Sequence, residues 1–342
     1  MLIVMHGVPW LPPSVAQTFN PYQHNYQGWD GNKIYRNPLR AVLNRFSLSI
    51  SGGYGLTFYR HDLPGDVLTS ENRKILLGNY TDNGTEITFN GATDWLNDPK
   101  YATGSITMID SWQLISADSA TQEYRGNGHS VPVSIGLTYD FSHFRIGGGV
   151  SWERHWVGDL YSDNDPFPYI TNFRSSSFLR YFFSMSARLY SLRGWHYNTD
   201  LQVGKVSYGN GFGENNIRNG AYFNLGFPME YEFSEYFWFF VRPSFELKNF
   251  TANLPVVEGS GLPSSVFHRQ NALYLHFGIR MKLPEIPRCP VASCSTQMKH
   301  VHGNSEFRGQ PFTKKQNPKI GELHPRLLRN SGKNRKKISG GY

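Results

Sequence analysis

Four side chains able to ligate a soft metal or to form a cross-link fall close together late in this 342-residue chain: Cys289, Cys294, His300 and His302. Cys289 and Cys294 are its only 2 cysteines. Two thiolates and two imidazoles suffice for a tetrahedral zinc site. The C-x4-C and H-x-H spacings, however, sit at or beyond the edge of the usual ranges, and in an oxidising compartment two cysteines of an exported chain pair most simply with each other. The expectation is therefore a Cys289 to Cys294 disulfide. Zinc on Cys289, Cys294, His300 and His302 is the lesser alternative, and no other cofactor is implied.

A second set of chemistry-bearing residues is spread along the chain in the polar phase of alternating stretches: Arg145, Glu153, Arg180, Arg188, Asp200, Glu230, Glu232, Arg242, Glu246, Lys248, His276 and Arg280. His155, His276 and the Glu230/Glu232 pair could be assembled into acid–base chemistry. No G-x-S-x-G, HExxH or glycine-rich phosphate loop stands in a strand-to-helix setting that would support an enzyme. Opposite charges satisfying one another in an interior is the better reading, with no catalytic residue.

The elements that must position these side chains are strands. From Asn271 to Leu283, large apolar residues (Leu273, Leu275, Phe277, Ile279, Met281, Leu283) alternate with small, polar or charged ones (Ala272, Tyr274, His276, Gly278, Arg280, Lys282), a period of two. The same pattern recurs over residues 45–59, 131–141, 144–156, 178–190, 197–206, 221–233 and 237–249, giving eight strands in all. Connections between them alternate long and short, and the first, residues 61–129, is the longest; it is polar, spotted with tryptophan, and holds short strand candidates at Glu86 to Phe89 and Ser105 to Leu114. Sorting of loops by end is what a membrane barrel requires, since one rim carries short turns and the other long loops. No stretch approaches the roughly 18 uninterrupted apolar residues of a membrane-spanning helix. The aromatic content of 15%, 34 glycines and a mean hydropathy of −0.47 suit alternating strands with aromatic girdles. Trp152, Trp156, Trp195 and Trp238, near strand ends, are expected to be interface anchors.

The expected fold is thus all-β: an eight-stranded antiparallel transmembrane up-and-down barrel of the outer membrane, with long extracellular loops and a basic C-terminal tail. An interior of this size is only wide enough to be filled by side chains, so the polar set above is placed in the lumen as a charge network that plugs it. The strand pattern and loop sorting over Arg45 to Leu283 resemble the small OmpA/OmpX-type outer-membrane barrels of Gram-negative bacteria, including the PorG-like barrels associated with type IX secretion. The end departs from that pattern, because the last strand runs into KLPEIP rather than finishing on an aromatic. The tail is also too short for an OmpA-type peptidoglycan-binding domain.

Around the barrel (45–283) the expected organisation is a remnant signal peptide (1–16), with Ser14-Val15-Ala16 as the small-x-small cleavage pattern, a periplasmic leader (17–44) and a periplasmic tail (284–342). The chain carries a net charge of +8, yet from Ile286 to Tyr342 twelve bases face two acids. Arg308, Lys314, Lys315, Lys319, Arg326, Arg329, Lys333, Arg335, Lys336 and Lys337 make this a segment that extends until it meets a partner. An exported chain does not meet nucleic acid, so the partner expected is an acidic envelope protein or peptidoglycan, with lipid and lipopolysaccharide around the barrel. The functional expectation is an outer-membrane anchor or scaffold, within a secretion or assembly complex. The alternative is an outer-membrane enzyme modifying lipid A or phospholipid.

Overall fold

In the computed structural model the described residues are 37–313 apart from 72, 108–111, 117–121, 142, 172–173, 193, 210–216, 256, 292–293, 295–299, 303–304 and 310–312. The signal-peptide remnant, most of the leader and the bases from Lys314 to Lys337 lie outside them. The described residues group into two units, one centred on Leu39–Pro284 and the other holding the residues from Glu285 onward.

In chain order, helix α1 (Pro38–Leu43) precedes β1 (Phe46–Leu63), followed by β2 (Val67–Thr69), β3 (Lys74–Asp82), β4 (Glu86–Thr93), β5 (Lys100–Thr107) and β6 (Gln113–Ile115). Then come β7 (Gln122–Phe141), β8 (Phe144–Ser162), β9 (Asp165–Tyr169), β10 (Ser175–Leu192), β11 (Trp195–Tyr208), β12 (Ile217–Gly226), β13 (Met229–Glu232), β14 (Phe237–Asn253) and β15 (Ser265–Lys282). The second unit holds β16 (His300–His302) and β17 (Ser305–Phe307).

Strands β1, β7, β8, β10, β11, the composite β12/β13, β14 and β15 pair antiparallel in that order, and β15 returns to β1, which closes an eight-stranded barrel. Closure leaves no strand edge unpaired, the condition for a sheet to sit in hydrocarbon. Pro228, which cannot donate to the ladder, divides β12 from β13. The ladder is carried across the break by Phe227 N donating to Pro243 O (3.0 Å) and Asn198 N donating to Pro228 O (3.0 Å).

The barrel is apolar outside. Leu273, Leu275, Phe277 and Ile279 of β15 are 40–55% exposed, and Leu48, Ile50, Tyr54, Leu56 and Phe58 of β1 continue the surface beside them. From Leu48 to Phe58 the rise along the axis is about 25 Å at a strand tilt of about 40°, the height of a membrane barrel's apolar band. The band ends abruptly. At the next outward positions Arg60 pairs with Glu123 (2.8 Å) and Arg269 with Asp62 (3.5 Å), so a charged collar marks its upper limit. Above the collar β1, β7, β8, β14 and β15 run on beyond the alternating stretches that sequence identifies, because outward residues there turn largely polar, Phe267 and Tyr161 apart, and many inward ones turn aromatic.

Residues 64–121 are not simply a long polar loop. They carry a five-stranded sheet, in the order β5-β4-β3-β2-β6, with its own core of Leu68, Ile75, Leu77, Ile87 and Phe89. Strand β3 has no counterpart in the sequence reading, for a physical reason: its first four residues are all buried, and a strand covered on both faces does not alternate. The expected strand from Ser105 to Leu114 is two elements, β5 ending at Thr107 and β6 starting at Gln113. Trp95 and Leu96, in the turn after β4, join Tyr59, Leu63, Tyr124, Phe250 and Val266 of the barrel in a second core. The sheet is therefore a cap seated in the long-loop mouth.

Candidate functional site

The inward positions of the barrel build a ladder of ion pairs whose rungs follow from strand register. At the short-turn end Asp140 accepts from Arg145 Nε (2.8 Å) and Lys282 Nζ (2.9 Å). One step in, Glu230 is held by Arg145 Nη1 (2.8 Å) and Arg280 Nη2 (2.6 Å), and the Arg280 guanidinium lies 5.1 Å from the centre of the Trp238 ring. Trp238 therefore faces the lumen, which corrects its expected role as an interface anchor; Trp152, Trp156 and Trp195 are exposed on the outside.

Next, Arg242 Nε donates to Asp200 Oδ1 (2.9 Å) and Arg242 Nη2 to Asn224 Oδ1 (2.5 Å). Gly226 leaves room for this pair, since a Cβ there would push against the carboxylate of Asp200 and the guanidinium of Arg242. The deepest rung is a four-charge cluster. Arg180 Nη1 bonds Glu246 (2.6 Å), Arg180 Nη2 lies 3.3 Å from Glu153, and Lys248 Nζ is 3.5 Å from Glu246 and 3.8 Å from Glu153. Tyr274 donates to Glu153 (2.7 Å), and all four charged side chains are buried. His276, also buried, stacks on Tyr274 and lines the remaining space, a cavity of about 100 Å³.

Two residues assigned to this network stand apart from it. Arg188 is exposed at the short-turn rim, lining a shallow cleft with His143 and Asn198, and Glu232 lies 3.8 Å from His196 near the same rim. Alternation assigns both to the correct face, but the buried network does not extend to the rim, where water solvates charge.

Above the ladder the lumen becomes aromatic. His155 contacts the Tyr59 hydroxyl (2.8 Å), Thr57 Oγ1 (3.1 Å) and Gln270 Nε2 (3.3 Å). His61 and His268 meet edge to face under Trp95, which stacks on Tyr169 with ring centres 4.3 Å apart. The cap is pinned by Lys74, whose ammonium bonds Asp165, Thr69 Oγ1 (2.7 Å) and Phe167 O (2.7 Å), while Tyr124 donates to Asp165 (2.6 Å). Burial pushes the Lys74 ammonium below the ordinary lysine range, and the bond to Asp165 works against that shift. Sequence reasoning missed this pin; the signal available was a lysine opening the apolar run Ile75-Leu76-Leu77.

Of the histidines and glutamates named for acid–base chemistry, His276 and Glu230 line the same cavity and the others lie apart from it. His155 belongs to the aromatic layer, Glu230 is clamped by two arginines, and Glu232 lies at the rim. In the second unit Cys289 and Cys294 stand as separate thiols. The ligating atoms of Cys289, Cys294, His300 and His302 all lie within 4.8 Å of one another. Arg308 is fully buried, and its backbone bridges Pro287 and Cys289 through bonds of 2.8 and 3.0 Å. Of the residues expected in the partner-binding tail, Arg308 is thus withdrawn from solvent.

No family model and no curated protein matches the chain. Among solved structures, the outer membrane protein OprG from Pseudomonas aeruginosa aligns with a TM-score of 0.35 at 12% identity, over 70% of this chain and 96% of that one. The outer membrane protease OmpT from Escherichia coli gives 0.30 at 10% identity, over 69% and 96%. The outer membrane protein AlkL gives 0.30 at 9% identity, over 71% and 92%. Likenesses this distant carry no argument about chemistry; the membrane-barrel assignment stands on strand closure and the apolar exterior.

Proposed function

We propose that this chain is an outer-membrane anchor: a sealed barrel that holds its basic C-terminal segment at the envelope, where that segment captures an acidic partner within a secretion or assembly complex. The buried charge cluster in the lumen and the buried Trp95 beyond it are the observations that support this reading. A solute would have to displace the Arg180–Glu246–Glu153–Lys248 cluster and then the Trp95 plug, both buried. Opening such a cluster strands charges in a low-dielectric interior, at a cost of several kcal/mol per ion.

With an even number of strands, both ends of the barrel, Phe46 and Lys282, fall at the short-turn rim. We propose for this chain the orientation usual for such barrels, with that rim, and so the leader and the tail, on the periplasmic side. The connection to type IX secretion rests on the resemblance of strand pattern alone. An outer-membrane enzyme acting on lipid would need its acid–base residues open to the bilayer or to water, and His155, His276 and Glu230 are enclosed.

The test is affinity capture from solubilised envelopes with the full chain and with a form lacking residues 286–342, both verified as membrane-inserted. Capture of an acidic envelope protein is expected to fall at least about tenfold on deletion, and protease added to intact cells is expected to leave the tail uncut. Equal capture by both forms, or cleavage of the tail from outside, would remove the anchor reading.

A further inference from the structure

We infer that Cys289, Cys294, His300 and His302 form a structural zinc site, in place of the disulfide expected for the two cysteines of an exported chain. Part of the sequence argument against zinc was the H-x-H spacing, which sits at the edge of the usual ranges. Here His300 and His302 lie on strand β16, where residues i and i+2 project from the same face, so the spacing becomes the one that lets two imidazoles converge.

The cysteines reach them through local backbone bonds. Cys294 N donates to Val291 O (3.1 Å), while Cys289 N donates to Arg308 O (3.0 Å) just beyond β17, the strand paired with β16. Cys294 Sγ lies 3.2 Å from His300 Nε2, and all four ligand atoms fall within 4.8 Å of one another. A tetrahedral zinc with bonds of about 2.3 Å to sulfur and about 2.0 Å to nitrogen separates its ligand atoms by about 3.3–3.8 Å, so the four groups need only small adjustments to close on an ion.

The donor set fits the metal. Thiolate with imidazole in a tetrahedral arrangement selects zinc over the hard cations, which take oxygen ligands. On binding, the two thiols ionise and release two protons, with no change in oxidation state. A disulfide would use the sulfurs and leave the convergence of two histidines on them unexplained. The segment from Pro287 to Phe307 also has few large apolar residues, Val291, Met298, Val301 and Phe307 among them, and segments this poor in core are commonly fastened by a metal.

The experiment uses the full chain, purified without chelator, with zinc measured per chain. The metal-free protein is then titrated with Co2+ alone under reducing conditions. One equivalent of zinc is expected, together with the visible bands of tetrahedral, thiolate-bound Co2+. Affinity for Co2+ is expected to drop at least about tenfold in Cys289→Ser and in His302→Ala. Because either variant could disturb the segment, the wild-type thiols are also titrated with a maleimide, and zinc is expected to slow their modification at least about tenfold. Absence of Co2+ bands, undiminished binding by Cys289→Ser, no protection of the thiols, or an intact mass two hydrogens short in metal-free protein would each overturn the inference.

Discussion

Replacing Arg180 with alanine is expected to destabilise the barrel by about 3–5 kcal/mol, the loss typical when one member of a buried ion pair is removed. Arg180 and Lys248 together neutralise Glu153 and Glu246, and all four are buried. Without the guanidinium, one lysine faces two carboxylates and the hydrogen bond to Ser151 is also lost. Equilibrium guanidinium unfolding in lipid vesicles reads the effect. A second change, Glu246→Gln in the Arg180→Ala background, restores charge balance and is expected to recover roughly half of the loss, the coupling that a double-mutant cycle isolates. A single-variant loss below about 1 kcal/mol would mean that water or lipid headgroups reach the cluster.

The second large effect is on the outside. Leu275 lies near the middle of the apolar band, between Leu273 and Phe277 on the exposed face of β15. Leu275→Arg is expected to cost about 2–4 kcal/mol in vesicles, as for cationic residues at the midplane of other barrels. Arg269→Leu, in the charged collar, is expected to change stability by less than about 1 kcal/mol, since it removes only the exposed pair with Asp62. Equal costs at the two sites would show that the two positions share one environment.

The contrast between these positions also explains what could be read in the sequence. Wherever a strand has lipid on one side and the charge ladder on the other, residue type must switch at every step, so β15 is legible from Leu273 to Met281 without a structure. Legibility ends at the collar. Beyond Arg60 and Arg269 the outward face mixes polar residues with Phe267 and Tyr161, and the inward face carries Tyr59, His61 and His268, so the two faces no longer differ enough to reveal a period. The cap was hidden for the opposite reason, because Lys74 to Leu77 is buried on both sides and looks like an undifferentiated apolar run.

Within the site, alternation identified which charges face inward but could not say which ones meet. The Arg145–Glu230–Arg280 rung joins β8, β13 and β15, residues far apart in sequence and brought together only by closure of the ring. Trp238 shows the same limit, since an aromatic near a strand end suits both an interface and a lumen cation. In the tail, sequence spacing alone could not show that His300 and His302 lie on a strand, with their ring nitrogens within 4.8 Å of both cysteine sulfurs.

The central claim, that the barrel is closed to solutes, is tested most directly by recording current across planar bilayers containing the full-length protein, with insertion verified by protease protection. With the ion-pair ladder and the Trp95 plug intact, the current is expected to stay at the level of the bare membrane. Stable ohmic steps from the wild-type protein would contradict the account and make the barrel a pore.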